Sequence, residues 1–231
     1  MHAGGVMRAV GVWVAVLVVA VLLGAGGPVW QQRQASARYP VQAQVLDEGR
    51  AALAALRVAP ADGQDSYERT RFGQAWADED HNGCDTRNDV LARDLVEASL
   101  DPATGGCVVL TGLLDDPYTG AVITFRRGAA SADVQIDHVV ALADAWSSGA
   151  RDWTLPQRQA FANDPANLLA VDGSANQDKG ASNAAAWLPP NTGYRCVYAL
   201  RQLRVKSAYG LSVTPDEQRA LARALDTCAT A

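Results

Sequence analysis

Positive charge is what this sequence is short of. Lys and Arg number 20 against 25 Asp and Glu, for a net charge of −5. That balance excludes a polybasic coat, so any attraction to DNA or RNA has to come from a local basic patch or a bound cation. Histidine is scarce, with three residues. The four cysteines, Cys84, Cys107, Cys196 and Cys228, include no C-x-x-C pair, and their spacings do not suit a zinc site. No internal repeat and no low-complexity segment interrupts the chain, which excludes a repeat array or a disordered tether as its main body. The 231 residues that remain to be explained suffice for one sizeable domain or two small ones.

The N-terminus stands apart. Met7-Arg8 leads into apolar residues from Ala9 to Val29, followed by Gln31, Gln32, Arg33 and then Ala35-Ser36-Ala37. A positive start, an apolar core and a small-x-small site describe a secretory signal peptide cleaved after Ala37. The stretch is also long enough to remain as a membrane anchor. Either way residues 38–231 are exported, secreted or held at the outer face of the cell membrane. Removing residues 1–37 takes away Arg8 and Arg33 and no acid, so 18 basic residues then face 25 acidic ones, a net −7. All four cysteines lie in the exported part, and an even count there reads as two disulfides. Neighbour pairing, Cys84 with Cys107 and Cys196 with Cys228, is the expected one of three connectivities; a zinc site is the rival reading.

Periodicity predicts a helix over 41–56, with Val45, Leu46, Ala52, Leu53 and Leu56 apolar at helical spacing. A loop over 58–66 comes next, and a second helix is predicted over 90–100. Residues 108–114 and 121–126 flank Asp115-Asp116-Pro117-Tyr118-Thr119-Gly120 and read as a hairpin. A third strand is predicted over 134–140, short helices over 141–148 and 156–162, and a brief strand over 167–171. Gly173 then opens a polar turn. Another helix is predicted over 194–209. Thr214-Pro215 starts the last helix, with Glu217 completing a capping box. The pattern is that of one α+β domain over residues 38–231.

The residues that name a chemistry are Asp137-His138, with Asn167, Asn176 and Lys179 behind them. A carboxylate and an imidazole at the end of an apolar strand can hold a divalent metal and deprotonate a water, and an amide further on can close the metal site. An isolated Asp-His pair is more often a packing feature. Here it ends a strand, and the amides and lysine recur at short offsets behind it. Successive strand residues point to opposite faces, so both side chains serve one site only if the strand ends or bends there.

These residues resemble the HNH, or ββα-metal, endonucleases, and most closely secreted bacterial HNH proteins related to the C-terminal nuclease domain of GmrSD-type restriction enzymes. The motif spans Val134 to Asn183, with a metal core over about 108–183. The likeness continues through DHNGCDTRNDVLARDL, DPYTG and WLPPN-x-x-YRC. It implies a ββα-metal core with surrounding helices and the hydrolysis of phosphodiester bonds in DNA, or in RNA. It implies that His138 is the general base, that Asp137 and Asn176 hold the metal, and that Asn167 holds the loop carrying the base. Lys179 would face a phosphate or stabilise developing charge. Asn176 stands where the plain motif has its last histidine; an Asp/Asn pair of oxygen donors favours Mg²⁺ or Mn²⁺ over Zn²⁺.

Three further groups are ambiguous. In the turn DEDHNGCDTRND, Asp78, Asp80, Asn82 and Gly83 match positions 1, 3, 5 and 6 of a calcium loop, but Asp89 stands where Glu is expected. A structural acidic turn, a Ca²⁺ site, or a contribution of Arg87 or Asn88 to an active site all fit. Arg195, Arg201, Arg204 and Lys206 form the densest basic group, a solvated helix face or a patch that grips phosphates together with Arg87. Trp146, Trp153 and Trp187 read as core. The reading that joins these observations is an exported, monomeric, metal-dependent endonuclease that meets a membrane only through its N-terminal segment. Its rival is a non-catalytic extracytoplasmic domain that binds calcium or the cell envelope.

Overall fold

The computed structural model describes residues 30–231. The apolar run from Ala9 to Val29, on which the signal-peptide or anchor reading rests, lies outside them. Residues 30–36 are helical and seated on the body: Gln32 Nε2 donates to the Thr192 carbonyl at 3.0 Å, and Ser36 is buried. Among the described residues no helix is long and apolar enough to cross a membrane.

In chain order the elements are α1 (Ala43–Ala55), α2 (Thr86–Asp94), β1 (Val96–Leu100), β2 (Val109–Asp115), β3 (Val122–Arg126), β4 (Val134–His138), α3 (Leu142–Ser148), α4 (Leu155–Asn163), β5 (Leu168–Asp172), α5 (Gly173–Lys179), α6 (Arg195–Ala208) and α7 (Pro215–Leu225). The class is α+β. Three antiparallel strands, β1-β2-β3, make one sheet, and β4 and β5 make a second of two antiparallel strands.

Helix α2 lies between the two sheets. Its Val90 and Leu91 are fully buried against Val109, Leu114 and Phe125 of one sheet and Val134, Ile136 and Leu168 of the other. Each such side chain contributes roughly 2 kcal/mol through removal from water. A second apolar cluster joins α1, α6 and α7 through Leu53, Leu203, Leu221 and Leu225. The last helix begins as its residues demand: Thr214 and Glu217 form a reciprocal capping box with Pro215 in the first turn. Both neighbour disulfides are present, Cys84–Cys107 and Cys196–Cys228. The first ties the acidic turn to the approach of β2; the second ties the start of α6 to the C-terminus.

Two expectations need correction. The helix expected over 90–100 is α2 followed by β1. Asp85 caps α2 by accepting from the Asn88 amide, so the helix starts earlier and is spent by Asp94. Beyond it Val96, Ala98 and Leu100 alternate with Glu97 and Ser99, a strand period, and the segment pairs with β2. The polar turn expected after Gly173 is helix α5. Asp172 caps it by accepting from the Ala175 amide, and Gly173 has no room for a side chain, since a Cβ there would lie 2.2 Å from the Ala132 carbonyl oxygen. Its sequence, GSANQDK, has no apolar stripe to betray it.

Candidate active site

Strand β4, strand β5 and helix α5 form a compact ββα unit. Full register runs from Val134 opposite Asp172 to His138 opposite Leu168. Gln135 and Asp137 share one face of β4 and meet α5, where Asn176 Nδ2 donates to Gln135 Oε1 at 2.9 Å and Lys179 Nζ donates to Asp137 Oδ1 at 2.9 Å. Val134 and Ile136 on the other face enter the core. His138 ends the strand and turns to α4, its Nε2 lying 2.8 Å from the Ala162 carbonyl oxygen. Because β4 stops there, Asp137 and His138 both reach one cleft.

The backbone beyond His138 is held by Asn167, which is fully buried. Its side chain accepts from the Val140 amide at 2.8 Å and donates to the Val140 carbonyl at 3.2 Å, while its own carbonyl accepts from the Val139 amide. The amide thus replaces a strand partner for the two residues behind the histidine.

Asp137 is 4% exposed and both of its oxygens are engaged, Oδ1 by Lys179 and Oδ2 by the Tyr118 hydroxyl at 2.5 Å. Burial pushes its carboxyl up, and Lys179 and Tyr118 pull it back down. Tyr118 comes from the β2–β3 turn. Asp116 secures that turn by accepting from Thr119 and, across the molecule, from the Asp172 amide at 2.9 Å. Lys179 is fully buried and also donates to the His138 carbonyl at 2.9 Å. As placed, it meets no phosphate unless it leaves Asp137; it holds Asp137 instead. The resemblance implied a lysine that faces a phosphate or stabilises developing charge; its partners here are Asp137 and the His138 carbonyl.

A carbonyl only accepts, so His138 Nε2 carries the proton and Nδ1 keeps its lone pair. Burial pushes the imidazole down to about 4, with the Ala162 carbonyl pulling it back up. Near neutral pH the ring is uncharged and able to take a proton.

The cleft over these residues has a volume of about 690 Å³, and Asp137, His138, Asn176, Arg87, Arg69 and Trp76 are among its walls. Asn176 spends its NH₂ on Gln135, which leaves Oδ1 free. Asn176 and Asp137 line the same space, and the lone pairs that Lys179 and Tyr118 leave on the Asp137 carboxylate are its remaining oxygen donors there. Among the described residues no three His, Cys, Asp or Glu side chains gather around a metal position. Such a sparse set of hard donors fits a cation that keeps most of its water shell, Mg²⁺ or Mn²⁺, and does not fit Zn²⁺.

Arg87 is half-buried, and burial and the neighbouring Arg127 lower its pKa. The other arginines of the expected patch are elsewhere. Arg195 donates to the Pro189 carbonyl, Arg201 to the Ala166 and Leu168 carbonyls, and Arg201 and Arg204 line a groove between α1 and α6. Neither sequence spacing nor composition pointed to Arg69, Trp76 or Tyr118. For Tyr118 the signal was its place in DPYTG, the tip of the hairpin.

The acidic turn closes on its own amides. Asp78 accepts from Asn82 and Gly83, Asp80 from Asn82, and Asn82 Oδ1 from the Cys84 amide at 2.7 Å. Trp146 and Trp153 pack in one aromatic cluster with Phe161, and Trp187 packs against Tyr118 and Tyr198.

The family of GmrSD restriction endonucleases, C-terminal domain, matches residues 85–224. The chain belongs to that family. The GmrSD C-terminal-domain match begins at the cap of α2 and runs into α7, so it takes in Arg87, Asp137, His138, Asn167, Asn176 and Lys179. Arg69 and Trp76 lie ahead of it. A relative from Arthroderma benhamiae, described as an uncharacterized secreted protein, is 43% identical over 178 residues, covering 76% of this chain and 82% of its own. No solved structure matches.

Proposed function

We propose that this GmrSD C-terminal-domain protein is a secreted, metal-dependent endonuclease that hydrolyses phosphodiester bonds of DNA, with RNA as a second substrate. The observation that carries the reading is the state of His138. The imidazole is neutral and tethered through Nε2, which leaves Nδ1 its lone pair, and it lines a cleft that Asp137 and Asn176 also line. The family supplies the nuclease class, and the secreted relative and the two disulfides support export.

The chemistry is a water attack on phosphorus. His138 Nδ1 takes the water's proton as the new P–O bond forms, and the 3′ oxygen leaves with a proton from solvent. A divalent cation held by Asp137 and Asn176 would supply positive charge beside the phosphoryl and leaving oxygens. Lys179 and Tyr118 keep the Asp137 carboxylate in one orientation. Arg87 and Arg69, on the cleft wall, would bind phosphates flanking the cut, which an acidic protein needs from a local source.

The test is nicking of supercoiled plasmid by the purified protein with Mg²⁺, with and without chelator. Chelator should abolish nicking, and His138→Ala should lower the rate by about 10²–10⁴. Asp137→Asn and Asn176→Ala should raise the Mg²⁺ concentration needed for half-maximal rate, while Asp78→Asn should not. Nicking that survives both chelator and loss of His138 would refute the reading.

A further inference from the structure

The imidazole of His138 is held from two directions, and both lead back to the end of α4. Ala162 accepts the Nε2 proton at 2.8 Å. The next residue, Asn163, is 1% exposed and turns its side chain the other way, onto residues 74–77. Its Oδ1 accepts from the Ala77 amide at 3.0 Å, and its Nδ2 donates to the Gln74 carbonyl at 3.1 Å and to the Gln159 carbonyl at 3.0 Å. Gln159 Oε1 takes the Gln74 amide at 3.3 Å, and the Thr86 hydroxyl donates to the Ala77 carbonyl. Between these anchors stands Trp76.

Two features of Trp76 are unusual. Its φ is +58°, a left-handed conformation that a bulky residue adopts only where its surroundings over-determine it. Its indole lies within 19° of parallel to the His138 ring, with centroids 6.2 Å apart. The residue is half-buried and borders the main cleft. It also borders a small cavity of about 30 Å³ shared with His138 and Leu142. One hydrogen bond at Nε2 leaves an imidazole free to pivot or flip, and a base must present its lone pair along one direction. A second restraint, on the face of the ring, is what the indole provides.

We propose that Trp76, anchored by Asn163, is a positioning residue that sets the orientation and tautomer of His138. The proposal rests on the reading of His138 as the base. The device is supplied by residues 74–77, which precede the GmrSD C-terminal-domain match, and by a buried amide in α4 within it. Trp76 acts through the histidine and not on the substrate.

The experiment is run on the full chain, which has three histidines, so the His138 ring is assigned by its loss in His138→Gln. Long-range ¹⁵N–¹H correlation at pH 7 reads which ring nitrogen carries the proton and needs no substrate. The wild type should show the Nε2–H form alone. Trp76→Ala should give a mixture of tautomers or exchange-broadened ring signals, and Trp76→Phe should restore the single form. In the nicking assay Trp76→Ala should lower kcat by about ten- to a hundredfold with KM changed less than about twofold. Trp76→Phe should recover most of that loss. Asn163→Ala should reproduce the Trp76→Ala ring spectrum; if it fails to fold, the two Trp76 variants decide.

A single Nε2–H form in Trp76→Ala overturns the proposal whatever the activity. So does a loss confined to KM, which would make Trp76 a stacking platform for the substrate. Absence of nicking in the wild type would sink the nuclease reading while leaving the ring spectra to decide this one.

Discussion

Lys179 and Lys206 are the only lysines in the chain, and both are fully buried. Lys179 neutralises Asp137, so its loss strands a buried carboxylate. Lys179→Met should therefore destabilise the protein by about 3–5 kcal/mol in urea unfolding, and Asp137→Asn combined with Lys179→Met should recover much of that loss. A double variant no more stable than the single one would show that the pair is not energetically coupled. At this scale the sequence disclosed the residues that local geometry brings together. Asp137-His138, Asn167 and Asn176 were legible because a strand end, an amide and a short helix bring them together over a span of 43 residues, from Val134 to Asn176. Arg69, Trp76 and Tyr118 were not, because tertiary packing alone brings Arg69 and Trp76 to the cleft wall and the Tyr118 hydroxyl to Asp137. Lys179 was legible as a member of the group, but its burial and its ion pair with Asp137 were not, since nothing in a sequence distinguishes a buried lysine from one facing solvent.

Elements were readable where an apolar period or a cap was present. The hairpin, α1 and α7 rest on such signals. Helix α5 has almost no apolar residues, and the α2–β1 junction changes period within two residues, so one predicted element turned out to be two. The disulfides act on elements as well. Closing loops with sequence separations of 23 and 32 should stabilise the fold by about 3–4 kcal/mol each in the chain-entropy model. Replacing Cys196 and Cys228 together by Ala should lower stability by that order, because it frees the C-terminus from the start of α6. Unchanged unfolding in denaturant would show that the C-terminal helices hold without the bridge.

For the molecule as a whole, two buried groups set opposing pH dependences. Glu217 shares Lys206 with Asp144, at 2.7 and 2.8 Å, and burial pushes its carboxyl up to about 7. A raised folded-state value gives stability that is complete below the unfolded value and is lost as pH rises through about 7. His138 runs the other way: its contribution is present above the ordinary imidazole value of 6.5 and is lost as pH falls through about 4. Between about pH 4.5 and 6.5 the two act in opposite directions. Wild-type stability should therefore climb less with pH there than the histidine alone would make it. Glu217→Gln, which keeps the capping geometry, should unmask a stability that climbs with pH; a level profile in that variant would show that His138 does not titrate as described. The Cys84–Cys107 bridge has a consequence of another kind. Its Cys84 stands between Trp76 and Arg87 in the sequence, so the segment joining two residues of the cleft wall is pinned by a bond that forms in an oxidising compartment. A nuclease of the kind proposed above would pass through its producer's reducing cytoplasm with that segment unpinned, and the bridge would close only after export. Mild reduction should then suppress nicking while the rest of the fold persists; full activity in the reduced protein would mean that the producer needs some other protection.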